Sequence, residues 1–159
     1  MIPREPRDAG EACDVIAIQH LAAAYADGVS RGDIAEACLT YAEDGELRSP
    51  TTEPAMGRAA VIETVTRTCS TLEFVFQTVH QGLVQVDGDT ARGRFPITEW
   101  ARRASDARPI QFLGVYEDEC VRTAQGWRFS RRILLPRTIG RPEGLTSRLV
   151  PLDALTAWD

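Results

Sequence analysis

The side chains best suited to move protons in this sequence are an imidazole and a few carboxylates and phenols set among apolar residues. His80 lies in the run Phe74 to Val86, which alternates as a strand should. Its even positions are Phe74, Phe76, Thr78, His80, Gly82, Val84 and Val86. That is the more apolar face, so His80 is expected to point inward. An imidazole there must find a hydrogen bond, and it is the side-chain type best suited to proton transfer near neutral pH. The competing reading is a core histidine with a satisfied hydrogen bond. Tyr25 falls on a helical stripe with Val15, Ile18, Ala22 and Val29. Asp27, two residues on, stands about 200° further round the helix. Glu99 alternates with Ala91, Gly93, Phe95 and Ile97 on a returning strand, which directs Phe95 and Glu99 inward. A bulge at Pro96 would reset that phase and present Trp100 instead. Arg131 shares a strand face with Trp127, Phe129, Ile133 and Leu135. There it could pair with Glu99, clamp a substrate oxygen, or snorkel outward at an interface.

Composition sets the outer limits. The chain has 159 residues, enough for one domain with a sizeable core. A net charge of −5 argues against nucleic acid or an anionic membrane as partner. All 18 basic residues are arginine, so no lysine is present to form a Schiff base. Cys13, Cys38, Cys69 and Cys120 form no C-x-x-C pair, and with only 2 histidines no metal-ligand spacing emerges. The cysteines read as reduced thiols of a cytoplasmic protein. No apolar run reads as a signal sequence or a membrane span.

Three helices are expected first. One runs from Glu11 to about Val29, and a second opens at Asp33 with Glu36 completing a capping box. A third follows Gly57-Arg58, with Ala60, Val61, Val65 and Cys69 inward. Long antiparallel strands follow: Phe74–Val86, Thr90–Arg102 after the turn Asp87-Gly88-Asp89, Ile110–Arg122 and Trp127–Leu135. The expected architecture is α+β: a cone-shaped, cystatin-like roll with three N-terminal helices packed on a curved antiparallel sheet. Such a cone has an apolar interior with one mouth, a usual geometry for a small-molecule site. Residues 1–10 read as an N-terminal arm and residues 11–136 as the domain. Residues 137–159 read as a tail over the pocket or a subunit interface.

Four signals in order resemble the SnoaL-like branch of the nuclear transport factor 2-like superfamily. They are Tyr25 with Arg31-Gly32-Asp33 and Tyr41-Ala42-Glu43-Asp44; Gly57-Arg58; His80 with Val86-Asp87-Gly88-Asp89-Thr90-Ala91; and Gly114-Val115-Tyr116-Glu117-Asp118-Glu119 with Gly126-Trp127-Arg128-Phe129. Proteins of this branch include scytalone dehydratase, a bile-acid dehydratase, a lindane dehydrochlorinase, polyketide cyclases and steroid isomerases. The resemblance implies His80 as the proton-transferring histidine and Tyr25 as the orienting tyrosine. The family's aspartate falls at Ser30 here, which leaves Asp27 or Glu99 to hold the imidazole.

The resulting expectation is a cofactor-free lyase or isomerase for a hydrophobic, oxygenated ring compound. His80, Tyr25 and Asp27 would be catalytic. Ser30, Phe76, Phe95, Glu99, Trp100 and Arg131 would be substrate contacts. No metal is expected, and the assembly is expected to be a homodimer or homotrimer. The alternatives are a non-catalytic binding protein of the same fold and the small subunit of a ring-hydroxylating oxygenase.

Overall fold

The computed structural model of the protein describes residues 3–140. Helix α1 spans Ala9–Arg31. It begins where the Asp8 carboxylate accepts a hydrogen bond from the Glu11 backbone N–H at 2.8 Å. It ends at Gly32, whose φ of 76° is the left-handed conformation that closes many helices. Ile18, Leu21, Ala22, Tyr25, Ala26 and Val29 make its buried stripe. Fully burying each larger aliphatic side chain is worth about 1.5–3 kcal/mol. Helix α2 spans Ile34–Cys38 and is capped by Asp33, as its sequence predicts. Gly28 sits where α1 crosses α2: a Cβ there would stand 2.8 Å from the Cβ of Ala37. The helix therefore runs unbroken through Gly28, which serves close packing.

Strands β1 (Tyr41–Ser49) and β2 (Thr52–Met56) precede helix α3 (Arg58–Cys69). Only a short strand at Glu46–Arg48 is legible there from sequence. Then follow β3 (Leu72–Val79), β4 (Leu83–Asp87), β5 (Thr90–Arg103), β6 (Pro109–Thr123) and β7 (Gly126–Gly140). The sheet runs β2-β1-β7-β6-β5-β3, with β4 also paired to β5. All neighbours are antiparallel except β1 and β7, which makes the sheet mixed. Helices pack on its inner face, and the sheet stays open. Part of the expected tail, residues 137–140, belongs to β7; the remainder lies outside the described residues. The N-terminal arm is tied down where it is described. Arg4 pairs with the buried Glu11 and donates to the Val86 carbonyl at 3.0 Å.

Two irregularities decide which side chains enter the cone. Val79 pairs with Ile97 and Leu83 with Arg94. Residues 80–82 thus stand opposite only Phe95 and Pro96, and the His80 N–H donates to the Pro96 carbonyl at 2.9 Å. One extra residue exchanges the faces of a strand. Val84 and Val86 point inward as expected, but in β3 the inward set is Val75, Gln77 and Val79, which pack on the core. Strand β5 keeps its own phase. The second irregularity is at Ser130, since Cys120 pairs with Phe129 and Glu119 with Arg131. It turns Arg131 outward and Arg132 inward.

Arg132 is 0% exposed. Its Nε and Nη2 donate to the two Asp118 oxygens at 2.8 and 2.7 Å. Burial opposes charge on both groups; the facing carboxylate more than offsets this for Arg132 and holds its guanidinium charged. A buried pair adds little net stability, but stranding one partner is costly. Arg132→Met alone is expected to cost about 3–5 kcal/mol in urea unfolding, whereas D118L/R132M together should cost far less. Equal losses would contradict a paired role.

Candidate functional site

A cavity of about 410 Å³ lies between the helices and the inner sheet face. Its walls are largely apolar, with Val29, Leu47, Val65, Val75 and Phe112 among them. Exposed Pro50, Thr51 and Thr71 line its rim. A larger concavity of about 1140 Å³ has a mixed polar and apolar lining that includes Glu43, Asp44, Arg92 and Arg128, and it includes none of the cavity's polar groups. The cavity is the better candidate site because a few polar groups converge between largely apolar walls.

Those groups are Glu99, Gln77, Tyr116 and Tyr25. Gln77 and Glu99 face each other across β3 and β5. The Gln77 amide donates to a Glu99 oxygen at 2.7 Å and to the Tyr116 hydroxyl oxygen at 3.1 Å. Tyr116 therefore accepts from Gln77 and keeps its own proton to donate. Tyr25 is 3% exposed, and its hydroxyl has no hydrogen-bond partner among the described residues. Its ring stands edge-on to Tyr116, with centroids 6.1 Å apart. Burial pushes the Glu99 carboxyl above its ordinary range, and the Gln77 hydrogen bond only partly opposes this. Burial also holds both phenols well above their usual range, so they remain donors. Cys69, at the end of α3, lines the same wall; burial pushes its thiol up to about 11. Among the described residues no three or more His, Cys, Asp or Glu side chains gather where they could hold a metal ion.

Ser30 anchors this arrangement from α1. Its hydroxyl oxygen accepts from the Gln77 backbone N–H at 2.8 Å and its proton goes to the Ala26 carbonyl at 2.8 Å. Ser30 thus fastens the helix end to the strand that carries Gln77.

The other expected site residues lie elsewhere. His80 is exposed on the outer sheet face, and its Nε2 is 2.9 Å from the Thr98 hydroxyl. Its expected inward orientation is corrected by the extra residue opposite Phe95 and Pro96. The same shift puts Phe76 outside, 46% exposed, and its partner Trp100 on that outer face. Asp27 is exposed and paired with Arg31 at 2.8 Å. Arg131 pairs with Glu119 at 2.8 Å, turned away from Glu99 by the bulge at Ser130. Phe95 is inward but belongs to the packed core, against Gly82 and Gly93, where a Cβ would collide with its ring. Tyr25 and Glu99 are in the cavity as expected. Gln77 and Tyr116 were missed as site residues. Gln77 shares the odd positions with the inward Val75 and Val79, which was the available signal.

N-terminal helices on a curved, open mixed sheet thus hold, among the described residues, a largely apolar cavity with a few inward polar groups. The chain belongs to the SnoaL-like domain family, which matches residues 10–133. No protein of curated function matches it. It is similar in structure to a candidate aromatic ring hydroxylase from Novosphingobium aromaticivorans, with 25% identity, a TM-score of 0.76, and coverage of 82% of this chain and 94% of that one. It also resembles a candidate scytalone dehydratase from the same species, with 19% identity, a TM-score of 0.75, and coverage of 82% and 89%. A third similar structure is the hexachlorocyclohexane dehydrochlorinase LinA-type3 from Novosphingobium barchaimii LL02, with 17% identity, a TM-score of 0.78, and coverage of 88% and 96%. Among the described residues no helix is long and apolar enough to cross a membrane.

The raised Glu99 carboxyl makes a stability prediction. The folded state prefers the neutral form, so the contribution of Glu99 is fully present at low pH and is lost as pH rises through its folded-state titration. Glu99→Gln removes that titration. Its Tm should exceed that of wild type at pH 7.5, and the gap should narrow toward pH 4. A gap independent of pH in thermal melts would contradict the burial of the carboxylate.

Proposed function

We propose that the protein is a cofactor-independent lyase or isomerase that moves a proton on a hydrophobic, oxygenated ring compound, with Glu99 as its acid–base group. The observation that carries this reading is the Glu99 carboxyl, raised by burial and held by Gln77 beside a donor phenol. At about 410 Å³ the cavity suits a compound of one or two rings. Family membership and dehydratase and dehydrochlorinase folds among its structural neighbours agree with this class.

The chemistry follows from the donors and acceptors. A ring carbonyl oxygen binds where Tyr116 and Tyr25 can donate to it. Ionised Glu99 takes a proton from the adjoining carbon, and charge collects on the oxygen as an enolate. Glu99 then returns the proton. Delivered to a leaving hydroxyl, it releases water; delivered to another ring carbon, it shifts the double bond. A positioned carboxylate supplies on the order of 10²–10⁴-fold in rate. Each oxyanion donor is worth on the order of 10²–10³-fold. Walls that exclude water strengthen both effects.

A second reading is a non-catalytic pocket of the same fold. It is favoured by Ser30 standing where the resemblance puts an aspartate and by His80 lying outside. Membership of a ring-hydroxylating oxygenase as a small subunit would be one such case. Solvent-exchange NMR separates the readings. Cyclic ketones in D₂O should lose their α-proton signals faster with the protein present, and faster as pH rises through the Glu99 titration. Glu99→Gln should lower that rate by at least about 10²-fold. His80→Ala should leave it within about twofold, as for a surface change. Exchange that survives Glu99→Gln, or disappears in His80→Ala, overturns the assignment of Glu99. Absence of exchange in wild type with ligand still bound favours the non-catalytic pocket.

A further inference from the structure

Arg132 is fully buried, among the largest such side chains of the described residues, and the proton transfer has no step for it. Its position relative to the donor phenols is specific. The guanidinium carbon lies 4.0 Å from the ring centroid of Tyr116, 4.8 Å from that of Tyr25 and 3.8 Å from that of Phe129. Both tyrosines also line the cavity. Asp118 binds Nε and Nη2, while Nη1 has no hydrogen-bond partner among the described residues. The pair lays its positive group against two phenol rings.

We propose that Arg132 is a positioning residue for the cavity: its guanidinium behind the rings of Tyr116 and Tyr25 makes the phenol pair selective for a ligand oxygen that carries negative charge, that is, a ring phenolate or enolate. The inference rests on the reading of the cavity as a proton-transfer site and names the ligand state it favours.

The physical basis is twofold. A cation on the face of an aromatic ring draws electron density from it, so the ring's hydroxyl becomes a stronger donor. The charge also acts directly through a poorly screened interior. Asp118 makes the pair neutral overall, but the two charges are not equidistant from the phenols. Arg132 draws both tyrosines toward acidity, and at Tyr116 its influence exceeds that of Asp118. The phenols remain protonated because burial outweighs both. The guanidinium charge thus favours negative charge on an oxygen bound at the phenols, which suits an oxygen that gains charge during enolisation. Glu99 opposes this with its own negative charge, and the opposition vanishes once it has taken the substrate's proton.

The test uses p-nitrophenol as probe, in the full chain carrying Glu99→Gln so that no carboxylate competes for the proton. The absorbance of the bound probe reports its ionisation. The parent variant should bind the phenolate in preference to the neutral phenol. Adding D118N/R132Q, which keeps a hydrogen-bonded pair without its charges, should reduce that preference about tenfold. Affinity for nitrobenzene, which cannot ionise, should be unchanged. Arg132→Lys, which keeps the charge, should retain most of the preference. If D118N/R132Q does not fold, D118L/R132M serves in its place.

A phenolate preference that is unchanged in the neutral pair overturns the proposal, as does an equal loss with Arg132→Lys. If p-nitrophenol does not bind the parent variant, the inference fails with the phenol pair itself. Phenolate selectivity that depends on Arg132, in a protein whose wild type catalyses no proton exchange, upholds the inference and removes only the catalytic reading.

Discussion

Three residues of one strand set against two of its neighbour determine what this protein can do. The backbone between Val79 and Leu83 spans only Phe95 and Pro96 on β5. Pro96 has no N–H to donate, and its carbonyl accepts from His80. The strand therefore changes phase at this point. Gln77 turns into the cone and His80 out of it. With the phase reversed, an imidazole would occupy the inner face and the Gln77 amide would not meet Glu99. Ser30 holds the chosen phase by joining α1 to the Gln77 backbone.

Within the cone, polar groups are arranged in two layers. The outer layer lines the cavity, where one amide fixes a carboxylate and a phenol with its two N–H groups. The inner layer is the Arg132–Asp118 pair, packed under Tyr25, Tyr116 and Phe129. Burial raises the free-energy cost of charge in both layers. The carboxylate nearest the cavity has no cationic partner among the described residues, and its burial keeps its proton affinity high. The arginine beneath has its own counter-ion, which keeps it charged. One ionisable group pushed toward its neutral form and another held charged within one small volume form a pattern often found at working sites.

Much of the architecture was legible in the sequence because it rests on periodicity and capping chemistry. The α1 stripe, the Asp33 cap, the Asp87-Gly88-Asp89 turn and the alternation of β5 all act locally. The inward place of Glu99 was one of the two readings that alternation allowed, the other being Trp100 after a bulge at Pro96. What sequence alone did not reveal was non-local. The extra residues at 80–82 and at Ser130 depend on the partner strand's register, and each reverses everything beyond it. His80, Phe76 and Arg131 were assigned to the wrong face for this reason alone. The parallel pairing of β1 with β7 was hidden likewise, since it joins strands far apart in the chain. Asp27 failed for a simpler reason: its helical angle already placed it off the Tyr25 stripe.

The central claim is that burial in a largely apolar cavity makes one carboxyl group, Glu99, hold its proton unusually tightly. Carbon-13 NMR titration of protein labelled at the glutamate side-chain carboxyl tests it most directly, with Glu99→Gln identifying the resonance. The account predicts that the Glu99 signal titrates above the range of the surface glutamates and shifts when a ring ketone is added. A Glu99 signal that titrates with the surface glutamates and ignores the ketone would contradict it.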